Sequence, residues 1–337
     1  MQQELFKFID PNANDKISKM KGLDLQELLV LIDDYYLELR EKLGFDRSVT
    51  FGFELEFEDA IKRRIERRLN ATFPESDWIM KNDASLDNGA EINSPILRDN
   101  RESWKELDEV CNIVEPLASI GNNAGGHVHI GAQALGNKEE AWLNFIKLWS
   151  IYENIIFRFA YGEFLTARPN IEKYAKPMAI IFYRFYNELK REEADIHEIV
   201  HRLSYDRYFA VNFQNTSGYV CNGFDVENTI EFRCPNGTLN SAIWQNNANL
   251  FANLLLYSKS NNYDDDKISE RHRINNNKYS SLKWYDEIYL EQALEFSDLL
   301  FNNNLDKIYF LKQYLKSFET RNMTSEYPKA QVFTKKK

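Results

Sequence analysis

Cysteine is scarce in this chain of 337 residues, with three in all. That excludes a disulfide framework and leads one to expect a reducing, cytoplasmic setting. Glycine and proline are sparse too, at 13 and 8, so collagen-like and Pro/Gly-rich low-complexity architectures are excluded. No apolar run approaches the roughly eighteen residues of a membrane helix, and the best candidate, MAIIFYRFY, is interrupted by Arg184. Positive charge is the minority: 42 Lys and Arg against 52 Asp and Glu give a formal net charge of −10. Such a chain is not expected to wrap nucleic acid over its whole surface, although a local basic patch could touch it. The opening MQQELFKFID has no basic region followed by an apolar one, so no secretory signal is expected. What the chain has is core material: 43% hydrophobic and 14% aromatic residues, enough for one large domain or about two of ordinary size.

No repeat of solenoid or propeller period is present. Residues 1–23 read as an irregular lead-in, followed by a helix from Asp24 that carries Leu25, Leu28, Leu29, Ile32, Tyr36, Leu39 and Leu43 and stops at Gly44. The pattern then changes to strict alternation over 49–57. A helix through Trp104, Leu107, Cys111, Val114 and Ala118 is expected to end at Gly121, before a strand at 126–132 and an aromatic-rich helix at 138–161. Further helices are expected at 177–190 and 192–204, strands at 207–213 and 228–234, and a helix from Asn240 to Tyr257. Residues 258–283 read as a polar loop, 286–303 and 304–318 as closing helices, and the final KKK as a frayed end. Long helices set apart from antiparallel-looking strands predict an α+β fold. The expected division is a helical extension over 1–48, a catalytic domain over 49–257, and a polar loop with C-terminal helices over 258–337.

Three strands share one design. Over 49–57, Val49, Phe51, Phe53, Leu55 and Phe57 face one way, and Glu54 and Glu56 the other, roughly 7 Å apart. In GGHVHIG, His127 and His129 oppose Val128 and Ile130; in NTIEFRC, Thr229, Glu231 and Arg233 oppose Ile230, Phe232 and Cys234. A single pair of like-charged side chains on a strand usually means a solvated face. Repetition of the design across three strands points instead to a shared polar face that needs a cation. Carboxylates with few imidazoles suit Mg²⁺ or Mn²⁺ better than zinc, and a guanidinium suits phosphate. DASLDNGAEINSP adds Asp83 and Glu91 around a turn, whereas Glu58 and Asp59 are expected to be solvated charges.

The order GFELEF, D-x-S with GAEINSP, GGHVHIG, RYFAVNF and TIEFRCPNGTLN, over about residues 49–257, resembles the amidoligase family. That family belongs to the wider group of glutamine synthetase and glutamate–cysteine ligase enzymes. The resemblance implies a curved antiparallel sheet of the glutamine synthetase-like type that binds ATP and several Mg²⁺ ions. By position, Glu54, Glu56, Asp83, Glu91, His127 and Glu231 would be metal ligands, and Arg233 would be the phosphate-binding arginine beside Glu231 in catalysis. His129 would lie near the nucleotide phosphates, and Arg168 would hold substrate carboxylate or phosphate. The implied reaction joins a carboxylate donor to an amine acceptor, such as an amino acid, peptide or protein, through an acyl phosphate. Segments 58–77, 162–178 and 214–227 are candidate covers for that labile species.

Two other readings compete. HEIVH at 197–201 has the H-E-x-x-H spacing of zinc peptidases, with His197 and His201 one helical turn apart and Glu198 as a possible base. Against it, Asp195 and Arg202 put charge where those enzymes keep uncharged residues, and Arg207 stands where the extended form needs histidine. The other is a non-catalytic nucleotide-binding module. The run KRRIERRLN is expected to be the solvated side of a helix, and Cys111 and Cys234 to be core residues. Cys221 has no neighbouring base to activate it.

Overall fold

The computed structural model describes residues 37–75, 77–216, 228–275 and 285–316. Its centre is β1 (Thr50–Phe57), where the expected alternation buries Phe51, Phe53, Leu55 and Phe57. The remaining strands among the described residues are β2 (Ile79–Lys81), β3 (Ala90–Asn93), β4 (Leu97–Arg98), β5 (Gly126–Gly131), β6 (Val211–Asn212) and β7 (Thr229–Phe232). They form one open antiparallel sheet in the order β2-β3-β1-β5-β7-β6, with β4 also paired to β1.

Ten helices complete the α+β architecture of the described residues: α1 (Lys62–Thr72), α2 (Arg101–Val114), α3 (Glu139–Ala160), α4 (Ile171–Tyr174), α5 (Ala179–Glu192), α6 (Ile196–Leu203), α7 (Ser241–Ser258), α8 (Asp265–Asn275), α9 (Leu290–Leu300) and α10 (Asn304–Leu315). Aromatic side chains weld the helical layer to the apolar face of the sheet. Trp104 of α2 lies 5.4 Å from Phe51, Trp244 of α7 meets Phe53 edge-on at 5.6 Å, and Phe251 stacks on Phe232 at 4.2 Å. The Trp244 ring needs Gly126 beneath it, because a Cβ there would stand 2.6 Å from the ring carbon Cη2. Glu153, buried within α3, accepts hydrogen bonds from the Met178 and Ala179 amides at 2.7 and 2.8 Å and from the Tyr285 hydroxyl at 2.6 Å. It thereby satisfies amides that the start of α5 leaves without intrahelical partners.

Several boundaries differ from the sequence reading. The helix expected to end at Gly44 does not include residues 37–44, and its first part, like the lead-in, lies outside the described residues. Instead, the Asp99 carboxylate gathers the amides of Leu43, Gly44 and Phe45 at 2.6–2.8 Å, with Gly44 at φ +101°. Helix α2 stops at Val114 rather than near Gly121, because Pro116 cannot continue it. The strand expected over 207–213 narrows to β6, since Asp206 turns the chain by accepting from the Tyr208 amide at 2.9 Å. The supposed polar loop contains α8, which is begun by Asp264 accepting from the Lys267 amide at 2.9 Å. Arg271 then ties α8 to Glu295 of α9 at 2.8 and 3.0 Å. Residues 276–284 of that stretch lie outside the described residues, as do Cys221 and the final KKK. Among the described residues, no helix is long and apolar enough to cross a membrane.

Candidate active site

The pleat decides which side chains share the polar face, and the register decides which of them meet. Glu54 stands opposite Asn93 on β3 and His127 on β5, and Glu56 stands opposite Glu91. His129 stands opposite Glu231 on β7, which in turn stands opposite Asn212 on β6. Residues far apart in sequence are thereby brought to one surface with their side chains on the same side.

His127 is the hub. Its Nδ1 hydrogen bonds with Glu54 and lies 3.4 Å from Glu231 Oε1, while its Nε2 lies 3.6 Å from Glu56 Oε1. His129 Nε2 reaches Glu54 Oε1 at 3.1 Å, and its Nδ1 lies 3.2 Å from Thr229 Oγ1. Two sets of donor atoms, Glu54–His127–Glu231 and Glu56–Glu91–His127, each fall within 4.8 Å of one another. Each set is carboxylate-dominated with one imidazole, a donor chemistry that fits a hard divalent cation. Glu56 is further fixed by accepting the Gly125 amide at 2.5 Å.

Arg233 projects from the end of β7 to the same side as Glu231, as the alternation requires. Its Nη1 pairs with Glu231 and its Nε donates to the Tyr174 carbonyl at 3.0 Å, while Nη2 makes no hydrogen bond among the described residues. Arg168 is buried beside the site. Its guanidinium donates to the carbonyls of Pro235 and Arg233 and packs so closely on Gly125 that a Cβ there would stand 2.8 Å from Cζ. Arg168 therefore holds the backbone that carries Arg233 and the start of β5. Asp83 belongs to neither donor set, but its charge acts on Glu91; its Oδ1 accepts from the Ser85 amide at 2.7 Å and shapes the turn that leads to β3.

The electrostatics follow from crowding acids in a buried place. Burial would raise the Glu54 carboxyl, but hydrogen bonds from His127 and His129 outweigh it and hold the group well below the usual carboxylate range. Glu231 is likewise lowered: burial opposes its charge, and His127, His129 and Arg233 prevail. Burial, and then the neighbouring charge of Glu54, push Glu91 up to about 7. For His127, burial and Arg233 oppose protonation, yet Glu54 and Glu56 prevail and its pKa is raised.

Other sequence expectations resolve differently. Glu58 is not solvated: it is buried and accepts from the Asp87 amide at 2.8 Å and Asn123 Nδ2 at 2.9 Å, clamping two loops beside the site. Asp59 is exposed as expected, with its Oδ2 bonded to the Ser119 hydroxyl. His197 and His201 are exposed on α6, whose buried side is Ile199, Val200 and Leu203, and Glu198 pairs with Arg202 at 2.9 Å. Neither histidine joins a potential metal-binding group among the described residues. Cys111 and Cys234 are buried, and burial pushes both thiols up.

Two site residues escaped the sequence reading. Asn212 Nδ2 donates to Glu231 Oε2 at 2.7 Å, and Asn93, on the strand position opposite Glu54, has a buried Oδ1 with no hydrogen-bond partner among the described residues. Asn93 could have been found, since it lies two residues after Glu91 and shares its face. Asn212 carries no local signal, because its role comes from pairing with β7.

The model of one protein family, described as putative amidoligase enzyme, matches residues 3–255. The match includes residues 3–48, upstream of the motif-bearing stretch. No curated protein matches the chain.

Proposed function

The chain belongs to the putative amidoligase family, a family of ligase-type enzymes, and on that basis we propose that it is an ATP- and Mg²⁺-dependent carboxylate–amine ligase. The observation that carries this reading is the pair of acidic donor sets sharing His127, with Arg233 fixed at their edge. Glu54, Glu56, Glu91, His127 and Glu231 would hold Mg²⁺, with Mn²⁺ as a substitute. The bound cation would neutralise phosphate charge.

A carboxylate is a poor acyl donor because its leaving group is oxide. In the proposed reaction, the donor carboxylate oxygen attacks the γ-phosphorus of ATP, the bond to the β–γ bridging oxygen breaks, and ADP departs. The amine nitrogen then attacks the acyl carbon, inorganic phosphate leaves with the bonding electrons, and the nitrogen loses a proton as the amide forms. Arg233 contributes a planar cation anchored at two points, with Nη2 available to phosphoryl oxygens. Glu231 and the Tyr174 carbonyl keep that guanidinium in place. His129, held between Glu54 and Thr229, would meet the nucleotide phosphates.

The test is incubation with ATP, Mg²⁺ and pooled acids and amines, followed by mass detection of new amides. The expected result is one ADP and one phosphate per amide. Release of AMP and pyrophosphate would show acyl-adenylate chemistry instead, and no amide with any pool would favour a non-catalytic module.

A further inference from the structure

Helix α1 carries Lys62, Arg63, Arg64, Arg67 and Arg68 against one acid, Glu66, in a protein whose formal net charge is −10. Ile65 and Leu69 are buried, and at about 100° per residue the four arginines cover roughly 140° of the opposite, solvent-facing side. All four are exposed, and none forms an ion pair among the described residues. The arrangement opposes the helix's own stability. Arg63–Arg67 and Arg64–Arg68 are like-charged at i, i+4, and cations crowd the first turn, where the helix dipole prefers anions.

α1 packs against α2 in the helical layer, and Lys62 joins it to the turn into β3. α1 starts five residues beyond Phe57, and Lys62 Nζ reaches Asn82 Oδ1 at 3.4 Å, next to Asp83 at the turn into β3. Exposed Lys81, opposite Glu91 in the register, extends the positive surface towards the site. At the far end, Arg68 lines a cleft of mixed charge with Lys105, Asp108 and Glu109 of α2.

We infer that this arginine face is a docking site for an acidic segment of the polypeptide that supplies the donor carboxylate. The inference rests on the ligase reading for the use made of the docked chain, but not for the docking itself. Four arginines and one lysine favour groups that accept two parallel hydrogen bonds, which carboxylates do. The helix, about 16 Å long, matches about five residues of extended peptide. A nucleic acid is the poorer fit. The rings that follow it in sequence, Phe73 and Trp78, pack against each other at 6.2 Å, and α1 itself carries no aromatic residue on which bases could stack. Nor can the helix enter a membrane, because its apolar side is already spent on the core.

The test uses the full chain and a fluorescent ten-residue glutamate peptide, read by anisotropy at low salt. The comparison variant carries Arg63→Gln, Arg64→Gln, Arg67→Gln and Arg68→Gln together, changes that face solvent and keep helix propensity. The parent should bind the peptide, with affinity falling as salt rises, and the variant should bind about tenfold more weakly or worse. Both proteins should bind Mn²⁺ equally, and Glu56→Gln should bind Mn²⁺ about tenfold more weakly or worse while keeping the peptide. Failure of Mn²⁺ binding alone would therefore strike the ligase reading and leave the docking site standing. Absence of peptide binding, or binding that ignores the arginines, overturns the inference. Tighter arginine-dependent binding of a 20-nucleotide single strand or of phosphatidylserine vesicles would overturn it too.

Discussion

His127 Nε2 lies 3.6 Å from Glu56 Oε1 while Nδ1 of the same ring hydrogen bonds with Glu54, so one imidazole belongs to both acidic groups. A neutral imidazole has one lone pair and one N–H. It can ligate a cation on one side while donating on the other, which makes the two halves of the site chemically unequal.

Glu56→Gln should weaken Mn²⁺ binding by about tenfold or more, followed by the free-ion resonance signal, and should remove most ADP formation. His201→Ala should change neither, since that ring is on the exposed side of α6. Stoichiometric zinc held by His197 and His201, with activity lost on its removal, would reverse the choice between ligase and hydrolase.

Glu91 makes stability depend on pH with a sign that metal should invert. Its carboxyl is pushed up to about 7, so the metal-free folded state keeps a proton that the unfolded chain sheds above the ordinary 4.5. Stability should therefore fall as pH rises from about 4.5 to 7. Glu91→Gln removes that loss: its metal-free melting temperature should match the parent's near pH 4 and exceed it at pH 8. With saturating Mn²⁺ at pH 8 the parent should melt higher, because it binds the ion more tightly. Paired thermal scans with and without metal decide this, and an unchanged order in both would remove Glu91 from the cation site.

Arg233→Ala should slow ADP release by about 10²–10³ with a much smaller loss of nucleotide affinity, as expected for a preorganised donor that acts as charge moves. Arg233→Lys should recover part of that rate. An ammonium carries its three donors on one nitrogen, so it cannot span the Glu231 and Tyr174 contacts as the planar guanidinium does while also facing phosphate. Equal turnover by parent and Arg233→Ala at saturating substrate would refute the assignment.

Asn212→Ala frees Glu231 Oε2, which now accepts from the Asn212 amide at 2.7 Å. Loss of such an orienting contact should lower Mn²⁺ affinity by about 10–100-fold. Titration calorimetry would measure it, and an unaltered affinity would show that Arg233 and His127 alone orient Glu231.

Much of this was written in periodicity. The side-chain period of a strand is two, so neighbouring residues alone assign Glu54, Glu56, His127, His129, Glu231 and Arg233 to their faces, and the structure keeps every one there. The long helices α3, α5 and α7 were legible for a similar local reason. Loop and helix ends were less so. α8 has few apolar residues, and Arg271 reaching Glu295 on another helix supports it. Glu58 looks like one more surface acid until residues 87 and 123 close over it.

Which groups meet was decided only by tertiary structure. Register places His127 against Glu54 rather than Glu56, and close packing at Gly125 lets Arg168 brace the backbone at Arg233 and Pro235. The same pairing of β6 with β7 recruits Asn212 to Glu231. These relations join residues from separate strands and loops, and the energy that selects them lies in shared burial and cross-strand pairing. Local sequence determines what each strand offers to its two faces; only the packed sheet determines what stands opposite it.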